Sequence, residues 1–158
     1  MTRHHGGVVA PAGRSSSAPR PGPCSGVDFF TAHTLSGARV YVFVVIEHAS
    51  RRIRILGATV WPTADWTTQQ ARHLLMDLAG NAVSMKYLIR DRDAKLVDAF
   101  DAVFAAEGIQ VISSALRASR MNAIMERWIN SCRRQLLDRT LIWNRTHLLN
   151  VVGVRAVL

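Results

Sequence analysis

Residues 87–95 read YLIRDRDAK and residues 122–128 read NAIMERW, and each stretch combines a carboxylate with a clear hydrophobic pattern. Asp91 follows a short apolar run that is typical of a β-strand. Glu126 lies in a pattern typical of an amphipathic helix, with thirty-four residues between it and Asp91. The sequence therefore predicts two carboxylates on two different elements, one at the end of a strand and one on a helix.

A third carboxylate, Asp28, lies in the first segment with strand character. Carboxylates on separate elements are what a two-metal phosphodiester-cleaving site requires, since two divalent cations about 3.5–4 Å apart need anionic oxygen ligands from several directions. Each acid also has an ordinary structural interpretation. Asp28 would begin a strand, and Asp91 and Asp93 would be turn residues that pair with a neighbouring arginine.

The composition indicates one soluble globular domain. The chain has 158 residues, of which 49% are hydrophobic, and its mean hydropathy is +0.09. No apolar run approaches the roughly 18 residues that a membrane span needs. Cys24 and Cys132 form no Cys-x-x-Cys motif and have no histidine spacing that would build a zinc site, so a reduced, cytoplasmic location is expected.

The charge is positive and uneven. The formal net charge is +9, and residues 113–158 carry eight arginines against Glu126 and Asp138. Such a surface usually binds polyanions, because each neutralised phosphate releases counterions. The other explanation is genomic base composition, since the only lysines are Lys86 and Lys95. Both explanations stay open, and polyanion binding is preferred.

The composition and the spacing of hydrophobic residues change along the chain. Residues 1–26 are rich in Gly, Pro, Ser and Arg, and they are predicted to be a disordered basic tail. Three strands then form an antiparallel meander, and helices and strands alternate after it. The order βββαβαβα predicts an α/β fold with a five-stranded mixed sheet, three antiparallel strands then two parallel ones, and helices on both faces. The predicted strands are 27–34, 40–46, 52–55, one reaching Asp91 and 109–112, and the predicted helices are 65–80, 94–107 and 119–137.

Four motifs occur in a fixed order: DFFT at 28–31, VYVFVVIEHASRR at 40–52, LIRDRDAK at 88–95 and SRMNAIMERW at 119–128. Together they resemble the integrase catalytic core of bacterial insertion-sequence transposases, a DDE-type family that is similar to retroviral integrases and has an RNase H-like fold. The resemblance covers residues 27–150, which are interpreted as the catalytic core. It leaves residues 151–158 as a truncated C-terminal tail.

The resemblance implies that Asp28, Asp91 and Glu126 are the Asp-Asp-Glu triad of the family and bind two Mg²⁺ or Mn²⁺ ions. The implied reaction is phosphodiester hydrolysis followed by DNA strand transfer, without a covalent enzyme–DNA intermediate. The implied partners are DNA, both transposon ends and target, and either a second copy of the chain or a full-length transposase. No membrane is involved, and a nucleoid-associated location in the cytoplasm is expected.

Four side chains near Glu126 are candidate DNA ligands. Helical geometry places Asn130 and Arg133 four and seven residues after Glu126, on the same face, where Arg133 would hold a phosphate beside the metal ions. Arg120 and Arg134 belong to the same basic helix and are added to this set.

Departures from the family pattern leave an alternative open. His33 occupies a position where relatives often carry Asp or Glu, and neutral imidazole binds Mg²⁺ poorly. Asp28 and position 33 are therefore both candidates for the first acid, with Asp28 preferred. Residues 115–122 read ALRASRMN, without the prolines that are usual in this loop. The alternative function is a catalytically inactive transposase remnant that only binds DNA or a partner transposase.

Overall fold

A five-stranded sheet organises the protein. The computed structural model describes residues 23–81, 83–93, 95–113 and 119–156. The predicted disordered tail lies largely outside these ranges, and its last residues, 24–26, belong to the first strand. The strands are β1 (Cys24–His33), β2 (Arg39–Glu47), β3 (Ile53–Thr59), β4 (Tyr87–Arg90) and β5 (Gln110–Ser113).

The strand order is β3-β2-β1-β4-β5, and it confirms the predicted fold class. β1, β2 and β3 form an antiparallel meander, because short turns connect them. β4 pairs in parallel with β1, and β5 pairs in parallel with β4. Parallel neighbours need long crossover connections, and these contain the helices that follow β3 and β4.

In the described part of the chain four helices flank the sheet, and one of them is followed by a π-helical turn. The helices are α1 (Ala64–Gly80), α2 (Asp98–Ala106), α3 (Ser119–Cys132) and α4 (Arg145–Ala156), and the π-helical turn is Arg133–Leu137. The Thr63 hydroxyl caps α1 by accepting the Trp66 N–H at 3.2 Å, and Asp65 lies in the first turn of the helix. Among the described residues, no helix is long and apolar enough to cross a bilayer.

β3 extends four residues beyond its predicted end and passes through Gly57. Its register with β2 shifts between Phe43 and Val44, which marks an irregularity at this point. A Cβ on Gly57 would lie 3.0 Å from the Trp66 ring of α1. The glycine therefore allows α1 to pack closely on the sheet.

The core has two apolar layers, one on each face of the sheet. α1 and α2 pack on one face, where Phe43, Leu74 and Phe100 are fully buried. α3 and α4 pack on the other face, where the fully buried residues include Val44 and Leu148. Helices on both faces bury both sides of the central strands, which explains the unbroken apolar run in β2.

The C-terminal region differs from the sequence prediction. The predicted helix over 119–137 is α-helical only as far as Cys132, where the π-helical turn begins. α4 was not predicted, and it continues across residue 150, where the core was expected to end. Leu148 and Val152 are both 0% exposed. Their spacing of four residues places them on one helix face, and their burial holds α4 against the sheet.

Candidate active site

Two neighbouring parallel strands bring Asp28 and Asp91 together. β1 and β4 pair with Val27 opposite Arg90, so Asp28 and Asp91 occupy the next position on each chain. Both acids line one cleft, which Met125 of α3 also lines. The volume of the cleft is about 10 Å³, roughly the space of a single water molecule. The first two predicted acids therefore share one small site beside the carboxyl end of β4.

α3 carries Glu126 to the edge of this site. Met125 and Ile129 are buried against the sheet, and Phe30 of β1 meets the Trp128 ring edge-on with 5.9 Å between ring centroids. Glu126 lies next to this buried face and is exposed. It does not line the cleft itself, but it is close enough to affect the ionisation of Asp28.

Asp28 has an unfavourable environment for its negative charge. Burial raises the pKa of Asp28, and repulsion from Asp91, Asp93 and Glu126 raises the pKa further. The Phe29 N–H donates to Asp28 Oδ1 at 2.7 Å and works in the opposite direction. A site at which several carboxylates repel one another would be relieved by a bound cation.

The donor atoms fit a hard divalent cation, because carboxylate oxygens are the preferred ligands of Mg²⁺ and Mn²⁺. Among the described residues, however, no group of three His, Cys, Asp or Glu side chains is close enough together to hold a metal ion. Asp28 and Asp91 fit the cation as a pair. Glu126 lies near Asp28, but it does not complete a three-ligand metal site.

His33, the other candidate for the first acid, lies far from this cleft. It is the last residue of β1, where it pairs with Arg39. It lies five positions along the strand from Asp28, which corresponds to roughly 16 Å. Only Asp28 of these two candidates lines the cleft with Asp91.

The candidate DNA ligands on α3 and beyond are exposed where they are described. Asn130, Arg133 and Arg134 have exposed side chains. Arg133 lines a second cleft with His33, not the cleft of Asp28 and Asp91. The side chain of Arg120 lies outside the described residues.

Arg90 links the site to α2 through a contact that the sequence pattern does not predict. Its Nε and Nη2 donate to the two carboxylate oxygens of Asp101, each at 2.7 Å, and its Nη1 donates to the Asp91 carbonyl oxygen at 3.1 Å. Arg90 is only 9% exposed. The neighbouring acid, Asp93, pairs with Lys95 at 2.8 Å. Arg90 therefore pairs with a distant acid, and it ties the backbone of Asp91 to α2.

Asp101→Ala is expected to destabilise the protein by about 3 kcal/mol, because it leaves a largely buried guanidinium without its carboxylate. Asp98→Ala is the matched control, since Asp98 lies on the same helix and is exposed. Its loss is expected to cost about 0.5 kcal/mol through the helix dipole. Urea unfolding of both variants measures the difference. Equal midpoints for the two variants would contradict the role given to the Arg90–Asp101 pair.

Asp28→Asn is expected to raise the melting temperature at neutral pH. Folding raises the pKa of Asp28, so the folded chain keeps this proton to a higher pH than the unfolded chain. The free energy of unfolding therefore falls as the pH rises through the folded-state pKa, and asparagine removes this loss. The advantage of the variant should disappear below the ordinary Asp pKa of about 3.9. A variant that melts at or below the wild-type temperature at neutral pH would oppose this account.

Comparison with solved structures identifies the fold. The catalytic core domain of HTLV-2 integrase in complex with magnesium aligns with a TM-score of 0.52 and 12% identity, over 87% of this chain and 83% of that one. The simian T-cell lymphotropic virus intasome in complex with PP2A regulatory subunit B56 gamma aligns with a TM-score of 0.63 and 13% identity, over 85% of this chain and 48% of that one.

The catalytic core domain of BIV integrase aligns with a TM-score of 0.53 and 15% identity, over 73% of this chain and 67% of that one. No protein-family model matches the sequence, and no match is found among curated proteins. Identities of this size show the fold alone. The chain therefore has the RNase H-like fold seen in the catalytic cores of retroviral integrases.

Proposed function

We propose that this chain is the catalytic core of a metal-dependent polynucleotidyl transferase that cleaves DNA and transfers the cut strand. The observation that carries the proposal is the pairing of Asp28 and Asp91 in one cleft, with Glu126 close to them. Repulsion between these carboxylates does not stabilise the fold. It is the arrangement expected of acids that are placed to share a cation.

The proposed roles follow from the positions of the side chains. Asp28 and Asp91 would hold Mg²⁺ or Mn²⁺ from two adjacent strands, and Glu126 would approach from α3. When bound, two such ions supply Lewis-acid stabilisation of the phosphodiester and activation of the attacking hydroxyl. Of the chain's own groups, the Arg90 guanidinium holds the Asp91 backbone, and the Phe29 N–H orients the Asp28 carboxylate.

We further propose that this polynucleotidyl transferase is an insertion-sequence transposase. Its support is the sequence resemblance, with DFFT at 28–31 on β1 and LIRDRDAK at 88–95 beginning on β4. The proposed partners are the ends of the mobile element, the target DNA and further copies of a transposase. The net charge of +9 supports an anionic partner. The proposed catalytic core begins at β1 and includes α4, whose Val152 is buried in the core.

The second candidate function is a protein that binds DNA or a transposase and does not cleave DNA. It is favoured by one observation, that no three acids among the described residues are grouped closely enough to hold a metal ion. Both candidates share the fold and the basic surface, so DNA binding alone does not distinguish them. Cleavage does.

The test is nicking of supercoiled plasmid DNA with Mn²⁺ present, compared with the same reaction in EDTA. The proposal predicts metal-dependent nicking by the wild-type chain and none by Glu126→Ala. Glu107→Ala is the matched control, because Glu107 is also an exposed glutamate and caps the end of α2, away from α3. It should nick at a comparable rate. Nicking that persists in Glu126→Ala would contradict the role given to Glu126. Absence of nicking by a folded wild-type chain that still binds DNA would favour the second candidate.

A further inference from the structure

The loop before α4 forms an exposed surface that the proposed active site does not use. Trp143 and Leu141 are 68% and 67% exposed, whereas Ile142 between them is 3% exposed. The Leu35 N–H donates to the Ile142 carbonyl oxygen at 2.8 Å and holds the loop against the turn between β1 and β2. Leu35 is itself 50% exposed. The three exposed residues therefore lie on two segments that this hydrogen bond joins.

Further hydrogen bonds fix the backbone at Trp143. The His147 N–H donates to Asn144 Oδ1 at 2.8 Å and caps the start of α4. The Trp143 N–H donates to His147 Nδ1 at 3.3 Å. In the described part of the chain, Trp66 and Trp128 pack against phenylalanine rings. The backbone of Trp143 is therefore held in place by hydrogen bonds, and its side chain is exposed to solvent.

The chain segment that contains Trp143 is basic. Residues 133–145 contain four exposed arginines, Arg133, Arg134, Arg139 and Arg145, against the single acid Asp138. A cleft of about 240 Å³ lies beside the loop, and its lining includes Ile142 and one charged side chain of each sign, Arg133 and Asp138. The excess of positive charge lies in the segment as a whole, and it is complementary to a phosphate backbone.

We propose that Trp143 is a stacking platform for an unpaired base of DNA, with the adjoining arginines holding the phosphates of the same strand. An exposed aromatic face on a segment with an excess of arginines is a combination with which proteins bind single-stranded nucleic acid. The cleft also contains Thr31, three residues from Asp28, which is roughly 10 Å along β1. The two clefts are separate, so a strand held at Trp143 would have to extend along β1 to reach the proposed active site, and in this respect the inference rests on the proposed function.

A second copy of the chain fits this surface less well. A two-fold interface brings the same patch of both subunits together, so the arginines around Trp143 would face their own counterparts. Like charges opposed across an interface disfavour association. Single-stranded DNA offers a base that stacks on the aromatic face and phosphates that pair with the arginines.

The test is binding of fluorescein-labelled oligo(dT), followed by fluorescence anisotropy in EDTA so that no cleavage occurs. Trp143→Ala is expected to weaken binding about tenfold, which is within the range measured for loss of one stacked base. Trp143→Phe should recover most of the affinity, because it keeps an aromatic face. Trp61→Ala is the matched control, since Trp61 is 77% exposed on the loop before α1, and it should bind like the wild type.

Wild-type affinity in folded Trp143→Ala would overturn the inference. An equal loss in Trp61→Ala would also overturn it, because stacking would then be nonspecific. Sedimentation velocity of the wild type and of Trp143→Ala measures the oligomeric state, and it tests whether a second copy of the chain occupies this surface. A dimer that dissociates on this substitution, with DNA affinity unchanged, would assign the surface to a second copy. Because binding is measured without metal, Trp143-dependent binding by a chain that never nicks DNA would refute the proposed function and leave this inference standing.

Discussion

Asp91→Asn is expected to reduce the Mn²⁺-dependent nicking rate by about 10³-fold. Loss of one anionic ligand removes about 4 kcal/mol of transition-state stabilisation by the metal site, and this converts to that factor. The substitution keeps the size of the side chain. It also keeps an oxygen that accepts the Arg92 N–H, which lies 2.7 Å from Asp91 Oδ1. Circular dichroism and melting temperature should therefore stay close to those of the wild type.

Asp93→Asn is the matched control for this experiment. Asp93 lies two residues away, but its carboxylate is engaged by Lys95 Nζ at 2.8 and 2.9 Å. Burial works to raise the pKa of Asp93, and the hydrogen bonds from Lys95 outweigh it and lower the pKa. The nicking rate should stay within about threefold of the wild-type rate. A similar loss in Asp91→Asn and Asp93→Asn would show that net charge, not a defined ligand, is responsible.

Phe100→Ala is expected to destabilise the protein by about 3–5 kcal/mol. Phe100 is 0% exposed, and its ring centroid lies 5.0 Å from that of Phe104 and 6.0 Å from that of Phe43. The substitution removes these contacts and leaves a cavity between α2 and the sheet. For a chain of this size the loss corresponds to a melting temperature lower by roughly 10 °C.

Met76→Ala is the control for the core substitution, because Met76 is apolar but 64% exposed on α1. Its effect should stay within about 0.5 kcal/mol. Nicking by Phe100→Ala should persist below its melting temperature, because Phe100 lies on the face of the sheet opposite α3. A Phe100→Ala protein as stable as Met76→Ala would contradict the description of the core.

The sheet was predictable because its strands carry strong local signals. β2 is an unbroken apolar run, and parallel β4 and β5 follow from helices placed between strands. α4 was missed because Val151, Val152 and Gly153 have low helix propensity. What stabilises α4 is burial of Leu148 and Val152, which is a tertiary effect.

The candidate site was predictable only in part. Asp28 lies beside Asp91 because of the register between β1 and β4. The sequence pattern places each acid on or directly after a strand, but it does not define this register. The helical spacing predicted Arg133 beside the metal ions, but that spacing assumed a continuous α-helix. The π-helical turn begins at Arg133, and this residue lines the second cleft. The Arg90–Asp101 pair joins residues on separate elements, so only the folded chain reveals it.

The most direct measurement is Mn²⁺ titration followed by electron paramagnetic resonance, on the wild type and on an Asp28→Asn/Asp91→Asn double variant. The wild type should take up Mn²⁺ saturably, and the double variant should lose this uptake while keeping its fold. Identical binding curves for the two proteins would contradict the assignment of the Asp28–Asp91 cleft as a metal-dependent active site.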